Sequence, residues 1–205
     1  MNGCLIMQVL KDDVRNSILL SAIDEFYQFG YKDASLRRIA KEAGVTPGNI
    51  YAYFRSKESL FATALADTVK EMNAFVQHAL RGEQLHTFDI SALTENITKI
   101  FLQNKKQFLI LMNGSKGTDY ENIKEELCQL VSERIGNEYI PLLTGDNQQT
   151  DSLATEAFST AIIEGMFHIF NSYGDNTDKL KTSLGFFMSM IFSEKILIDN
   201  EETHE

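Results

Sequence analysis

Thr46, Pro47, Gly48, Asn49, Tyr51 and Tyr53 form the stretch of this chain whose residue types suit a chemical task. A hydroxyl, an amide and two phenols within eight positions can hydrogen-bond phosphate oxygens and the edges of bases. Apolar Ile50 and Phe54 interrupt them at helical spacing, so a short helix would turn the polar set outward. Two outward tyrosines and an asparagine suit a groove better than open solvent. Pro47 fits the first position of such a helix, where its missing N–H costs nothing.

Catalytic and metal chemistry lack comparable support. His78, His86, His168 and His204 show no ligand spacing, and no nucleophile elbow or phosphate loop occurs. The stretch NGSKGT from Asn113 to Thr118 has neither the spacing nor the preceding strand of a phosphate loop and reads as a turn. Cys4 and Cys128 are far apart and read as free thiols of a reducing cytoplasm. No metal or other cofactor is expected.

The elements around the polar stretch read as helices, and no strand alternation stands out. A first helix is expected from about Asp12, with Val14, Ile18, Ala22, Phe26 and Phe29 on one stripe and Gly30 at its end. Ser35 suits the cap of a second helix holding Leu36, Ile39, Ala40 and Ala43. Ala43-Gly44-Val45-Thr46 then forms the tight turn of a helix-turn-helix from Leu36 to Phe54. Ser56 caps a long fourth helix to about Leu80, and amphipathic segments follow near 89–103, 104–113, 119–138, 151–173 and 178–198. The expected fold is all-α with about nine helices. Residues 1–55 would form the helix-turn-helix domain and 56–205 a helical body, linked by the helix 56–80. Residues 199–205 read as a frayed tail.

Charge supports the division. The chain carries a net −10. Eight basic and six acidic residues from Lys11 to Lys57 give +2, which leaves eleven basic and twenty-three acidic elsewhere, or −12. A basic head on an acidic body confines phosphate attraction to the head. No apolar run approaches the ~20 residues that cross a bilayer, and MNGCLIMQVL lacks the marks of a signal peptide. A cytoplasmic protein without a membrane partner is expected, with either Met1 or Met7 as its start.

The stretch AIDEFYQFGYKDASLRRIAKEAGVTPGNIYAYFRSKESLF resembles the N-terminal domain of the tetracycline-repressor (TetR) family. Phe26, Gly30–Tyr31, Ser35, Ile39–Ala40, Ala43–Gly44–Val45, Gly48, Ile50–Tyr51, Tyr53–Phe54, Lys57–Glu58 and Leu60 carry it, over about a quarter of the chain. The resemblance implies a DNA-facing set of Ser35, Arg37, Arg38, Thr46, Pro47, Gly48, Asn49, Tyr51, Tyr53 and Lys57. In it Ser35, Thr46 and Lys57 meet phosphates, Arg37 meets phosphate or a base edge, and Gly48 admits close backbone approach. Tyr51 and Tyr53 contact phosphate or a thymine methyl, although family members often carry His at the position of Tyr53. Ser35, Thr46 and Ser56 are helix caps whatever else they do.

Beyond residue 82 no motif occurs. Leu153, Ala157, Ala161, Gly165 and His168, with Leu180, Leu184, Phe187 and Ile191, make coiled-coil-like seams on the last two helices. The family pairs its protomers through those helices, which implies a homodimer reading palindromic double-stranded DNA. The family body also encloses a small-molecule pocket. Phe101, Phe108, Met112, Tyr120, Phe158, Ile162, Met166 and Phe170 are its candidates, as adaptable apolar side chains. These readings point to a ligand-responsive regulator, repressor by family habit, released by a small apolar or amphipathic effector. An enzyme and a helical interaction module without DNA contact are the competing classes.

Overall fold

The computed structural model describes residues 2–79, 90–141 and 151–192. Every regular element among them is helical. In chain order these are α1 (Asn2–Asp33), α2 (Leu36–Glu42), α3 (Pro47–Tyr53), α4 (Lys57–Ala79), α5 (Ile90–Gln103), α6 (Lys105–Asn113), α7 (Ile123–Arg134), α8 (Ser152–Ser172) and α9 (Thr177–Ile191). A π-helical turn, Ile135–Tyr139, prolongs α7. The all-α expectation holds. The first helix starts ten residues before Asp12, and the seventh starts at Ile123 because residues 114–122 form a chain of turns. The expected tail, and residues 193–198 of the last expected helix, lie outside the described residues.

Contacts divide the chain into two compact units, Met1–Asn73 with Gln103–Ile123, and Ala74–Leu102 with Lys124–Glu205. The first unit therefore holds more than the helix-turn-helix of residues 1–55: α6 and the turns after it pack there too. Ile18, Ala22 and Phe26 of α1 are fully buried with Ile39, Ala40, Ile50, Leu60, Phe61 and Leu65. Each such side chain contributes roughly 1.5–3 kcal/mol by leaving water. Phe61 sits at the centre, edge-on to Phe26 at 4.9 Å and to Tyr31 at 5.0 Å. Phe29, expected on the buried stripe, is 44% exposed. The helical path breaks at Gly30 just beyond it, and the Arg38 guanidinium covers its ring at 4.3 Å.

α6 is tied to α1 by backbone as well as side chains. Gly30 (φ 68°, ψ 171°) breaks the helical path, and the next N–H, of Tyr31, donates to the Gly114 carbonyl at 2.7 Å. Lys106 pairs with Asp24, and the Asn104 amide donates to Glu71 at 2.7 Å. In the second unit Phe101 stacks on Phe170 at 4.1 Å with Tyr173 edge-on. α8 and α9 form an antiparallel hairpin whose turn holds Gly174 and Asp175 in left-handed conformation. Asp151 and Asn176 cap the two helices by accepting from Leu153 and Lys179 N–H groups.

Candidate nucleic-acid interface

The turn between α2 and α3 is set by one glycine. Gly44 lies at φ 68°, a conformation that strains any residue with a Cβ. There the Gly44 N–H reaches Lys41 O at 3.2 Å and the Val45 N–H reaches Ala40 O at 2.9 Å. These are the paired bonds of a Schellman ending, and they aim the chain directly into α3. Thr46 caps α3 by accepting from Asn49 N–H at 3.3 Å, with Pro47 in the first turn as expected.

α3 buries only Ile50. Thr46, Pro47, Gly48, Asn49 and Tyr51 are exposed and Tyr53 is half-buried. Tyr51 keeps 56% of its surface in solvent, a large aromatic left uncovered on a seven-residue helix. Phe54 behind it is buried, with Arg15 over its ring at 5.4 Å. The helix thus presents an amide and a phenol outward while Ile50 and Phe54 anchor it.

Ser35 precedes α2 in extended conformation, but its hydroxyl makes no capping bond. Its N–H instead donates to Glu25 Oε1 at 2.7 Å. The Glu25 carboxylate thus takes up the N–H of the N-cap residue itself, while the Ser35 hydroxyl, expected to accept from an N–H inside α2, makes no such bond. Arg37 is exposed. Arg38 is exposed but engaged within the head: its Nε donates to Glu25 Oε1 at 2.7 Å, its NH2 group to Asp33 O at 2.8 Å, and its plane covers Phe29. Glu25 is 8% exposed, so this pair with the N–H of Ser35 satisfies an otherwise costly carboxylate. The hydrogen bond to Glu25 raises the guanidinium's pKa above its ordinary value.

Lys57 opens α4. Its ammonium donates to Lys32 O at 3.1 Å and lies 4.7 Å from the centre of the Tyr31 ring. Partial burial lowers its pKa, against the pull of nearby carboxylates. Ser56 caps α4 as expected, accepting from Ser59 N–H at 3.2 Å. Beneath it the buried Tyr31 hydroxyl donates to Glu58 in a short hydrogen bond. That bond, with one from Ser56, holds the Glu58 carboxyl down to about 2. Burial and the same carboxylate push Tyr31 up to about 12. The sequence assigns Glu58 no role beyond its match; in the structure it locks the end of α1 to the start of α4.

The residues expected to line an effector pocket fall into both units. Phe101, Ile162 and Phe170 are buried core of the second, where Met166 is half-buried and Phe158 is 38% exposed. Phe108, Met112 and Tyr120 belong to the first, with Tyr120 6.3 Å from Phe61. A groove of about 850 Å³ lies between α7 and α8 of the second unit, lined by Lys124, Cys128, Ser132, Thr155, Ser159 and Glu164 among others. None of the eight expected side chains lines it, and its walls are largely polar.

The expected dimer seam is also divided. Leu180 and Leu184 are fully buried within the protomer, and Phe187 packs on Gly165, where an added Cβ would stand 2.2 Å from its Cζ. Phe187 and Gly165 themselves remain half-buried. Leu153, Ala157, Ala161 and His168 are exposed, Ile191 half-buried. α9 also exposes Phe186 at 66% and Met190 at 55%, which the sequence reading does not name. Neighbouring helix positions differ by about 100° in direction, so Phe186 and Phe187 present different faces of α9.

The family model described as "Bacterial regulatory proteins, tetR family" matches residues 18–64, from mid-α1 into α4. Residues 18–64 are thus similar to the tetR family of bacterial regulatory proteins. The HTH-type transcriptional regulator YdgC of Bacillus subtilis is 35% identical over 77 residues, 38% of this chain and 40% of that protein. RutR of Escherichia coli, another HTH-type transcriptional regulator, is 43% identical over 51 residues, 25% of this chain and 24% of its own. The chain thus spans well under half the length of these curated relatives. Among solved structures, the TetR family transcriptional regulator PfmR from Thermus thermophilus superposes with a TM-score of 0.63 at 17% identity, over 85% of this chain and 96% of that one. NalD of Pseudomonas aeruginosa, described as the secondary repressor of a multidrug efflux pump, gives 0.57 at 19% over 88% and 94%. At such identities the structures share the fold: the tetR-type head followed by a helical body. Among the described residues no helix is long and apolar enough to cross a membrane, and no three His, Cys, Asp or Glu side chains gather as a metal site.

Proposed function

We propose that this protein is a cytoplasmic transcription regulator, a repressor rather than an enzyme, that binds a palindromic operator as a homodimer. The observation that carries the reading is α3: a capped seven-residue helix, anchored by buried Ile50, that leaves Asn49 and Tyr51 uncovered. Asparagine suits adenine in the major groove, and tyrosine suits phosphate or a methyl group. Ser35, with an unused hydroxyl, and Lys57, fixed at the head of α4, would hold the flanking phosphates. Arg37, Thr46, Pro47, Gly48 and Tyr53 complete the DNA-facing set, while Arg38 shapes it from within.

Pairing through the exposed faces of α8 and α9 would supply the two-fold that matches half-sites about 34–36 Å apart. Binding of a small apolar or amphipathic effector in the body would weaken that match through α4, which runs unbroken from Lys57 to Ala79. A gel shift on the upstream region of the protein's own gene tests the reading. A shift that weakens in Asn49→Ala and Tyr51→Ala, with dimers intact, is expected. No shift on any genomic fragment defeats it.

A further inference from the structure

The turn Ser115–Thr118 belongs to the head's compact unit although it lies some sixty residues beyond the helix-turn-helix. Ser115 O accepts from the Thr118 N–H at 3.1 Å and from its hydroxyl at 2.7 Å. The Ser115 hydroxyl donates to Leu111 O at 2.7 Å, anchoring the turn to α6. Gly117 N–H donates to Glu121 Oε2 at 2.9 Å. With Gly117 at φ 87°, the pattern is that of a type II turn, which needs glycine at its third position. Lys116 is exposed at the second position, on a hydrogen-bonded support.

That support touches the flank of the proposed phosphate site. The Lys32 stem lies along Gly117, where an added Cβ would stand 3.0 Å from its Cε and 3.7 Å from its Cγ. The Lys32 carbonyl in turn accepts the Lys57 ammonium at 3.1 Å. Three lysines, from the end of α1, the start of α4 and the turn, follow one another across one flank. Neither Lys32 nor Lys116 has an ion-pair partner among the described residues. Several nearby carboxylates are engaged: Glu58 holds Tyr31, Glu121 accepts from Gly117, and Glu25 holds Arg38. Of these only Glu25 is neutralised by an ion pair among the described residues; Glu58, Glu121, Asp33 and Asp119 keep their charges beside the three lysines.

We propose that Lys32 and Lys116 extend the phosphate-contacting edge that begins at Lys57, so that the turn Ser115–Thr118 grips the DNA backbone beside the helix-turn-helix. The inference rests on the DNA-binding reading and adds a contact from outside the matched stretch 18–64. An ammonium on a flexible stem acts as a point charge and needs no base-edge geometry, so backbone phosphate is the partner it fits. Each ammonium that meets a phosphate releases a condensed counterion from the duplex.

The test measures affinity of the full-length protein for a short random-sequence duplex against salt concentration. Each phosphate contact contributes about 0.9 to the slope of log K on log salt. Lys116→Gln is therefore expected to lower the slope by about one per head, with an unchanged melting temperature, and Lys116→Arg to keep it. Lys57→Gln, run alongside, should lower the slope on its own. An unchanged slope in Lys116→Gln with a lowered one in Lys57→Gln overturns this inference and leaves DNA binding standing. A wild-type protein without salt-dependent binding overturns both.

Discussion

Replacing Gly30 by alanine should weaken the joint that holds α6 to the head. Gly30 lies at φ 68°, ψ 171°, a region that essentially only glycine occupies without strain. An alanine Cβ would stand 3.5 Å from Gly114 O and 3.6 Å from Gly114 Cα, ordinary contact distances. The cost is therefore backbone strain, about 1–3 kcal/mol, offset by about 0.4–1 kcal/mol because alanine stiffens the unfolded chain. Relaxing that strain would displace Tyr31, whose N–H bonds to Gly114 O at 2.7 Å, so relief has its own cost. The central values leave a net loss of about 1.3 kcal/mol, a melting temperature lower by roughly 3–5 °C for a chain this size. Gly44→Ala is the matched comparison, with the same φ but open space around the new Cβ. It tests left-handed strain alone, at about 1–2 kcal/mol. Thermal denaturation followed by circular dichroism, with both variants side by side, reads the two costs. A Gly30→Ala protein as stable as wild type would refute the reasoning.

Three further outcomes follow from the same contacts. Tyr31→Phe removes the hydrogen bond that depresses Glu58 to about 2 and leaves Tyr31 at about 12 in the wild type. The Glu58 contribution is full above its unfolded pKa of about 4.3 and fades as pH falls toward 2; that of Tyr31 is full below about 10 and fades toward 12. The wild-type advantage in melting temperature should thus be flat near neutrality and shrink at both ends, and a gap equally large at pH 2 would contradict this. Arg38→Ala should lower the melting temperature, because buried Glu25 keeps only the Ser35 N–H, while the salt slope of DNA binding stays unchanged. A slope lower by about one would instead place Arg38 on a phosphate. Phe186→Asp with Met190→Asp should convert the dimer to monomers in sedimentation, with helicity retained; a persistent dimer would exclude that face.

Local rules made the head legible from sequence. Gly44, Pro47, Thr46 and Ser56 act through neighbours within a few residues, and the helices they delimit end where those rules place them. Ile39, Ala40, Ile50 and Phe54 were legible as core because helical spacing left one side for them. Relations between distant segments were not legible. Nothing local shows that Glu25 accepts the Ser35 N–H, or that Arg38 turns toward it. NGSKGT reads as a turn and is one, but its place against Lys32 depends on α6 docking on α1 across some eighty residues. On α8 and α9 the apolar positions occupy more than one face, so periodicity alone could not separate Leu184 of the inner face from Phe186 of the outer. The apolar candidates for an effector site are in good part packed against one another, because aromatic residues at helical spacing serve a core first.

The central claim is that α3 reads operator DNA. Pull-down of fragmented genomic DNA by the full-length protein, with sequencing of what is retained, tests it most directly. Enriched fragments sharing a palindrome with half-sites about 10 base pairs apart, or a multiple of that, are expected with the wild type and lost with Tyr51→Ala. Retention without any shared sequence, or enrichment identical in wild type and Tyr51→Ala, would contradict the account.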